Sequence, residues 1–179
     1  MRSSYNSNLT YKELLESIIF LKNPKKIIEF GILEGFSLEV FASKKDCQIE
    51  AYDIFDNFEG NRSSRDIIEK FKNHKNVSIN YGDFYKKFLE IEDNSADIIH
   101  VDIANNGDVY QFAIENYMKK LNKNGLMILE GGSEERDEVE WMKKYNKRNI
   151  KPYLESLNLE WKTIGNFPSI TLIKNYNPF

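Results

Sequence analysis

The spacing of apolar residues along this chain changes repeatedly between a helical period and a strand period. Over residues 10–21 the apolar positions fall on one stripe of a predicted helix, formed by Leu14, Leu15, Ile18, Ile19 and Leu21. The Asn23-Pro24 pair ends this helix, because the residue before a proline disfavours the helical conformation. Residues 1–8 are polar and are expected to be frayed.

From residue 26 onwards, predicted strands and helices alternate. The strands are predicted at 26–30, 49–54, 77–81, 96–101 and 125–129, and the helices between them at 36–42, 64–71, 84–89 and 108–121. Asp108 is the expected N-cap of the last of these helices. The strand at 96–101 is almost entirely apolar, as expected for a strand covered on both faces. This alternation is typical of a parallel sheet between two layers of helices.

The C-terminal part follows a different pattern. A charge-laced helix with a solvated face is predicted over 134–145, and Pro152 opens a further short helix. Strands predicted at 160–164 and 169–174 are joined by the turn-forming sequence Gly165-Asn-Phe-Pro168, so they are expected to pair as a hairpin. We therefore predict one domain over 1–179, with residues 1–24 as an N-terminal helical extension.

Composition narrows the class of protein further. The chain has 179 residues, enough for one sizeable core, and its aromatic content of 13% argues against disorder. It contains no apolar run long enough for a membrane span and no apolar signal region, so a cytoplasmic location is expected. The single cysteine, Cys47, excludes an internal disulfide and a zinc site. A pI near 5.6 disfavours non-specific nucleic-acid binding.

The loop after the first strand is the first candidate binding site. Parallel sheets of this kind bind ligands beyond the carboxyl ends of their strands, and here the chain reads Glu29-Phe-Gly31-Ile-Leu-Glu-Gly35-Phe-Ser37. Gly31 and Gly35 allow a tight turn and a close approach of the backbone to a ligand, although an ordinary glycine turn is the alternative interpretation. The dinucleotide pattern G-x-G-x-x-G is absent, because Leu33 stands in place of its second glycine.

Carboxylates around this loop indicate a cationic ligand. Glu29 and Glu34 would repel a pyrophosphate but suit a ligand that carries an ammonium and a sulfonium. Asp53 ends the second strand, where an acidic side chain either accepts hydrogen bonds from ribose hydroxyls or caps a loop. Asp83 and Phe84 follow the third strand and fit an adenine amino group and its face, although Asp83 could instead cap the next helix.

Together these motifs resemble those of class I S-adenosylmethionine-dependent methyltransferases. They are E-F-G-I-L-E-G-F-S at 29–37, Asp53, G-D-F at 82–84, D-I-I-H-V-D at 97–102 and N-G-L-M-I-L-E at 124–130. The first motif is most similar to that of small O-methyltransferases, and the resemblance covers roughly residues 26–174. It implies an α/β, three-layer, Rossmann-like methyltransferase fold, with a mostly parallel seven-stranded sheet that ends in an antiparallel hairpin.

The resemblance also implies a cofactor, an acceptor and a set of site residues. The cofactor is S-adenosylmethionine, and the acceptor is a small molecule, methylated on an oxygen of a sugar or metabolite. The implied cofactor-binding residues are Glu29, which lies near the ammonium, Gly31, Gly35, Ser37, Asp53 at the ribose, and Asp83 and Phe84 at the adenine. Asp56 and Glu59 belong to a D-x-F-E-G type of run that is similar to sugar-modifying O-methyltransferases.

Two carboxylates at neighbouring strand ends are the predicted catalytic residues. Asp102 ends the fourth strand and Glu130 the fifth, and strands about 4.8 Å apart would let both carboxylates reach one Mg²⁺. In metal-dependent relatives the next residue is usually an Asp or Asn ligand, whereas here it is Gly131. That departure argues against a metal, so no metal ligand is assigned. Without a metal, Asp102, Glu130 or Asp108 must accept the proton of the acceptor.

Other side chains near these strand ends have ordinary structural interpretations. His100 lies inside a strand on the face of Ile98 and Asp102, and it is predicted to be a buried, hydrogen-bonded histidine rather than a base. Tyr110 and Trp141 could line an acceptor pocket, but packing is the preferred interpretation.

The acceptor pocket itself must come from short segments, since the motifs occupy almost the whole chain. The candidates are the loops 55–63 and 103–108, the segment 131–137, the N-terminal helix and a neighbouring subunit of a homo-oligomer. No membrane or nucleic-acid partner is expected. Two other functions stay open: a non-catalytic accessory protein that binds S-adenosylmethionine, and an NAD-type Rossmann enzyme, which Leu33 and the acidic loop disfavour.

Overall fold

Helices and strands follow one another along the chain in the predicted order. The computed structural model describes residues 10–57 and 62–175. The helices are α1 (Tyr11–Lys22), α2 (Phe36–Ala42), α3 (Ser64–Phe71), α4 (Phe84–Lys87), α5 (Gly107–Tyr117), α6 (Glu134–Asp137), α7 (Glu140–Lys144) and α8 (Ile150–Glu155). The strands are β1 (Lys26–Phe30), β2 (Gln48–Asp53), β3 (Val77–Tyr81), β4 (Ala96–Val101), β5 (Leu121–Glu130), β6 (Trp161–Ile164) and β7 (Ile170–Lys174). In this part of the chain, no helix combines the length and the apolarity that crossing a bilayer requires.

The strands form one seven-stranded sheet in the order β3-β2-β1-β4-β5-β7-β6. The first five strands are parallel, β7 runs antiparallel beside β5, and β6 pairs with β7 in the expected hairpin. The predicted sheet is therefore confirmed. Strand order reverses between β1 and β4, and in open α/β sheets ligands bind at the carboxyl ends of the strands beside such a reversal.

Successive residues of the central strands are buried on opposite faces of the sheet. Ile27, Ile98 and Ile128 pack against the layer that contains α1, α2 and α3. Ile28, Ile99 and Met127 pack against the layer that contains α5 and α8. Because side chains alternate with a period of two along a strand, every second residue at the strand ends also points toward α1 and α2.

Helix α1 begins one residue later than predicted because Thr10 is its N-cap. The Thr10 hydroxyl accepts a hydrogen bond from the Glu13 N–H at 3.2 Å, and the Glu13 carboxylate accepts one from the Thr10 N–H at 2.8 Å. This reciprocal capping box stabilises the first helical turn. Asn23, with φ of 46°, ends the helix in the left-handed conformation. Residues 1–9 of the predicted extension lie outside the described residues.

Several predicted helix boundaries are wrong. Helix α5 ends at Tyr117 instead of residue 121, and α8 begins at Ile150, two residues before Pro152. Helix α5 begins at Gly107 rather than after Asp108. Its N-cap is Asn106, whose side-chain oxygen accepts hydrogen bonds from the N–H groups of Asp108 and Val109. The predicted helix at 134–145 is divided into α6 and α7, since Val139 takes an extended conformation with ψ of 147°. Helix α4 ends at Lys87, two residues early, where the chain closes into turns.

The start of the fifth strand also differs from the expectation. Strand β5 begins at Leu121, four residues before the start that was predicted at residue 125. The register against β4 shifts between Ala96 and Ile98, so the extra residues form an irregularity within the strand. Asn124 takes the left-handed conformation there, with φ of 64°.

Candidate functional site

The loop between β1 and α2 takes the tight turn that its glycines predict. Gly31 and Gly35 have φ of 88° and 76°, in the left-handed region that favours glycine. A Cβ atom at Gly31 would lie 1.9 Å from the backbone carbonyl oxygen of Asp102. Gly31 therefore lets the end of β1 approach the end of β4, and this contact brings Asp102 beside the loop.

Asp53 holds this loop in place. Its Oδ2 accepts hydrogen bonds from the Ile32 N–H at 2.7 Å and the Leu33 N–H at 3.4 Å, and its Oδ1 accepts one from the Phe55 N–H at 2.8 Å. The loop-capping interpretation of Asp53 is thus confirmed. The same side chain also lines a cavity at the strand ends, so the cap does not exclude the predicted ribose contact.

Two cavities meet at the strand ends. The larger, of about 640 Å³, lies at the carboxyl ends of β1 to β4 and is lined by Gly31, Tyr52, Asp53, Asp83, Phe84 and Asp102 among others. The smaller, of about 360 Å³, lies under α1 and α2 and is lined by Tyr11, Ser37, Val40, His100, Asp102 and Glu130 among others. Both volumes are in the range of small-molecule sites. Leu33 and Asp102 line both cavities.

Aromatic side chains line the larger cavity. Phe84 is only 4% exposed, because its ring stacks on Tyr117 and meets Phe30 edge to face. Tyr81 and Tyr85 are 61% and 49% exposed and offer accessible ring surface at the rim. Sequence reasoning missed both tyrosines, although they flank the G-D-F motif directly.

Asp83 has the capping role that was its alternative interpretation. It is the N-cap of α4, and its Oδ1 accepts a hydrogen bond from the Tyr85 N–H at 2.9 Å. Asp83 nevertheless lines the larger cavity, so a contact with a ligand is compatible with the cap.

Polar side chains from three neighbouring strands share the sheet face beneath the smaller cavity. They are Glu29 from β1, His100 and Asp102 at and after the end of β4, and Glu130 from β5. Glu29 pairs with His100 in the register of β1 and β4, and His100 pairs with Ile128 of β5. Side chains alternate along each strand, and these four residues point to the same face of the sheet. The sequence therefore predicts that they lie together once the strand order is known.

Glu29 and His100 form a buried pair. The Glu29 Oε1 accepts a hydrogen bond from the Ser37 hydroxyl at 2.5 Å and lies 3.0 Å from His100 Nδ1. The prediction of a buried, hydrogen-bonded His100 is confirmed. Burial lowers the pKa of His100, but the hydrogen bond to Glu29 and the charge of that carboxylate outweigh this effect and raise the pKa above its ordinary value. Neither cavity has Glu29 or Gly35 in its lining.

Asp102 stands where the two cavities meet. Its side chain is accessible to solvent, but the surrounding protein removes much of the water that a carboxylate needs. This desolvation raises the pKa of Asp102, and the charges of His100 and Arg136 only partly oppose it. A raised pKa brings the carboxylate closer to the range in which it can accept a proton from a substrate near neutral pH.

Glu130 is held by an arginine that the sequence did not reveal. The Arg136 Nε donates to Glu130 Oε1 at 2.6 Å, and its Nη2 donates to Oε2 at 3.0 Å. The guanidinium also lies over the Trp141 ring, 5.1 Å from its centroid. Arg136 and Asp137 are buried, so the prediction of a solvated helix face is wrong at these positions. Asp137 accepts hydrogen bonds from two backbone amides at the start of α8 instead.

The residues around Asp102 and Glu130 do not fit a magnesium ion. Both oxygens of Glu130 are occupied by a guanidinium, whose positive charge would repel a second cation. The next two positions provide no third ligand, because Gly131 and Gly132 have no side chain. Their φ angles of 99° and 105° favour glycine, and a Cβ at Gly132 would lie 2.1 Å from Thr171 Oγ1. Over 10–57 and 62–175, no group of three His, Cys, Asp or Glu side chains is arranged to hold a metal.

Tyr11 adds a polar atom to the smaller cavity. Its hydroxyl is buried and has no hydrogen-bond partner within the described part of the chain. Burial raises the pKa of this phenol, and the charges of Glu130 and Asp102 raise it further. Tyr11 was missed because it lies in the N-terminal extension, outside every motif.

Asp108 and Tyr110 line neither cavity. Asp108 is exposed, lies 3.8 Å from Arg148 Nη1 and lines neither cavity, so it is poorly placed as a base. Tyr110 is fully buried and donates to the Glu130 carbonyl at 3.0 Å, which confirms its packing role. Asp56 lies in the short 3-10 turn at Phe55–Asn57, and Glu59 is outside the described residues.

Solved structures of methyltransferases share this fold. A Staphylococcus aureus protein assigned as a caffeoyl-CoA O-methyltransferase is 17% identical, with a TM-score of 0.68, 95% of this chain and 85% of that chain covered. A Bacillus cereus O-methyltransferase in complex with S-adenosylhomocysteine is 14% identical, with a TM-score of 0.65 and coverage of 96% and 83%. The Streptomyces achromogenes O-methyltransferase TomG, in complex with S-adenosylmethionine, is 15% identical, with a TM-score of 0.62 and coverage of 91% and 78%.

Sequence comparison gives the family. No curated protein matches the chain significantly in sequence. Residues 28–130 match the family Methyltransf_24, described as a methyltransferase domain, which confirms the resemblance seen in the motifs and gives no support to an NAD-type enzyme. This match spans β1 to β5 and more than half of the chain, and the protein therefore belongs to the Methyltransf_24 family of methyltransferase domains.

Proposed function

We propose that this protein transfers a methyl group from S-adenosylmethionine to an oxygen atom of a small molecule. The observation that carries the proposal is the junction of two cavities at Asp102, beside the point where strand order reverses. The Bacillus cereus and Streptomyces achromogenes proteins of the same fold bind S-adenosylhomocysteine and S-adenosylmethionine, which supports this choice of cofactor.

We assign the larger cavity to the cofactor. Gly31 allows the backbone to approach the methionine part, and Asp53 lies at the end of β2, where ribose hydroxyls can be bound. Asp83 and the aromatic rings around it fit an adenine amino group and its face. Gly35 and Ser37 act on this cavity indirectly, since they shape the loop and its contact with Glu29.

We assign the smaller cavity to the acceptor. Its volume of about 360 Å³ suits a small molecule, and its walls come from α1 and α2 of this chain, so no second subunit is required. Apolar side chains such as Leu15 and Val40 line one part, and the polar group around Asp102 lines another. An acceptor with an apolar body and a hydroxyl group therefore fits this cavity.

The shared position of Asp102 defines where transfer takes place. Methyl transfer is an in-line displacement, in which the acceptor oxygen attacks the methyl carbon while the carbon–sulfur bond breaks, and its rate depends strongly on alignment. We place the acceptor hydroxyl against Asp102, which lines both cavities and accepts a hydrogen bond from it. Glu130 contributes through its ion pair with Arg136, which holds the end of β5 under the acceptor.

Calorimetric titration with S-adenosylhomocysteine tests the cofactor assignment. We expect binding by the wild-type protein and about 10–100-fold weaker binding by Asp53→Asn, because one charged hydrogen-bond acceptor is worth about 1.5–3 kcal/mol. Absence of binding by the wild-type protein would refute the proposed function. Unchanged affinity in the variant would refute the position of the ribose.

Turnover tests the catalytic assignment. The protein is incubated with methyl-labelled S-adenosylmethionine and a panel of small hydroxylated compounds, and Asp102→Asn is compared with Asp108→Asn as a matched control. We expect transfer by the wild type and the control, and a large loss of turnover but not of cofactor binding in Asp102→Asn. Cofactor binding without transfer to any acceptor would favour the accessory protein. A single domain over 1–179 and a cytoplasmic location stay predictions.

A further inference from the structure

Glu29 is a buried carboxylate, and a buried carboxylate needs a partner. The side chain is fully buried between the sheet and α2, and burying a carboxylate is costly unless it is paired. Its Oε1 contacts the Ser37 hydroxyl and His100 Nδ1, whereas its Oε2 has no partner within the described residues. Glu29 is therefore placed to stabilise an imidazolium at His100 once His100 has accepted a proton.

The hydrogen bond to Glu29 also determines which nitrogen of His100 is free. An ionised Glu29 accepts the proton of Nδ1, and this favours the neutral tautomer in which Nε2 carries the lone pair. No described residue makes a hydrogen bond to Nε2, and His100 lines the smaller cavity. The Phe41 ring packs edge to face on the imidazole, with centroids 5.3 Å apart, and restricts its orientation.

We infer that Glu29 and His100 form the proton-accepting pair of the reaction, with His100 as the base and Glu29 as the residue that orients it. This inference rests on the proposed function. As the acceptor oxygen forms its bond to the methyl carbon, the carbon–sulfur electron pair returns to sulfur. The hydroxyl proton passes to Nε2 of His100, which leaves a methyl ether, S-adenosylhomocysteine and an imidazolium.

The charges that face His100 favour this role. Glu29 on β1, Asp102 after the end of β4 and Glu130 on β5 all stabilise an imidazolium, while Phe41 of α2, which packs on the imidazole, carries no charge. Asp102 keeps its separate task of orienting the hydroxyl where the cavities meet. The pair has the arrangement of a carboxylate that holds an imidazole in one tautomer and stabilises its protonated form.

Nuclear magnetic resonance of the free protein tests the pair without knowledge of the acceptor. The chain has two histidines, so ¹⁵N-labelled histidine gives two sets of ring signals, and His74 is the internal reference. We expect neutral His100 to carry its proton on Nδ1, and Glu29→Gln to change that tautomer or the ring shifts while His74 stays unchanged. A proton on Nε2 in the wild-type protein, or signals of His100 that do not respond to Glu29→Gln, would overturn the inference.

Kinetics with an acceptor from the compound panel tests the catalytic step. We expect His100→Gln to lower kcat about 10²–10⁴-fold, the usual contribution of a general base. We expect a smaller loss of kcat in Glu29→Gln, and an affinity for S-adenosylhomocysteine within about twofold of wild type in His100→Gln. Wild-type kcat in His100→Gln would overturn the inference. If the wild-type protein does not bind S-adenosylhomocysteine, the proposed function is refuted instead.

Discussion

Replacement of Arg136 by methionine tests the energetic importance of the ion pair beneath the acceptor cavity. Methionine keeps an unbranched side chain against Trp141 but removes the guanidinium that holds both oxygens of Glu130. Removing one partner of a buried ion pair costs about 3–5 kcal/mol. The Glu130 side chain keeps 20% of its surface exposed, so we expect the lower end, about 3 kcal/mol.

The loss should depend on pH, with a sign that follows from the pKa of Glu130. Desolvation raises this pKa in the folded state, and loss of Arg136 removes the charge that opposes the rise. Below the ordinary pKa of a glutamate, Glu130 is protonated in both states and the destabilisation is small. It grows as pH rises from the raised pKa of Glu130 in the folded wild-type protein to its still higher pKa in the folded variant, and is constant above that.

Urea unfolding at pH 5 and pH 8 measures this effect. We expect Arg136→Met to lower the free energy of unfolding by about 3 kcal/mol at pH 8 and by less at pH 5. For a chain of this size the loss at pH 8 corresponds to a fall in Tm of about 6–12 °C. Glu130→Gln together with Arg136→Met should recover part of the loss, because no charge is left buried. A loss under about 1 kcal/mol at pH 8, or one that is equal at both pH values, would refute this reasoning.

Three further predictions concern single positions. Gly132→Ala should lower the free energy of unfolding, measured with urea, by at least about 1 kcal/mol, because its φ of 105° disfavours a side chain and the new Cβ would clash with Thr171. Adding Thr171→Ala should restore only the part of this loss that comes from the clash. Burial raises the pKa of Cys47 to about 11, so its thiol should resist a disulfide reagent at pH 8 in native protein and react in urea; rapid native labelling would contradict this. Tyr11→Phe should change the free energy of unfolding by less than about 0.5 kcal/mol, because the hydroxyl has no described partner, and a loss above 1 kcal/mol would reveal one.

The strand ends were predictable because they depend on local pattern. Period-two alternation identifies β1 and β4, and the residues that follow them, such as Gly31 and Asp102, lie at the crevice by topology alone. The two interpretations of Asp53 could not be separated, since a carboxylate at a strand end can cap a loop and still face a ligand. The structure shows the cap.

The residues that the sequence did not reveal depend on contacts between distant segments. Arg136 lies in a stretch of mixed charge, and nothing in that stretch distinguishes a solvated arginine from one that is folded back onto Glu130 by the turn at Gly131 and Gly132. Tyr11 reaches the smaller cavity only because α1 packs against α2. The pairing of Glu29 with His100 depends on the neighbouring positions of β1 and β4, which come from the strand order.

The two residues shared by the cavities, Leu33 and Asp102, have a consequence for the order of ligand binding. Apart from these two residues the linings are separate, with α1 and α2 at the smaller cavity and the ends of β2 and β3 at the larger one. On the proposed function, we therefore expect a random sequential mechanism, in which either substrate binds first and S-adenosylhomocysteine is exchanged for fresh cofactor while the methylated product is still bound.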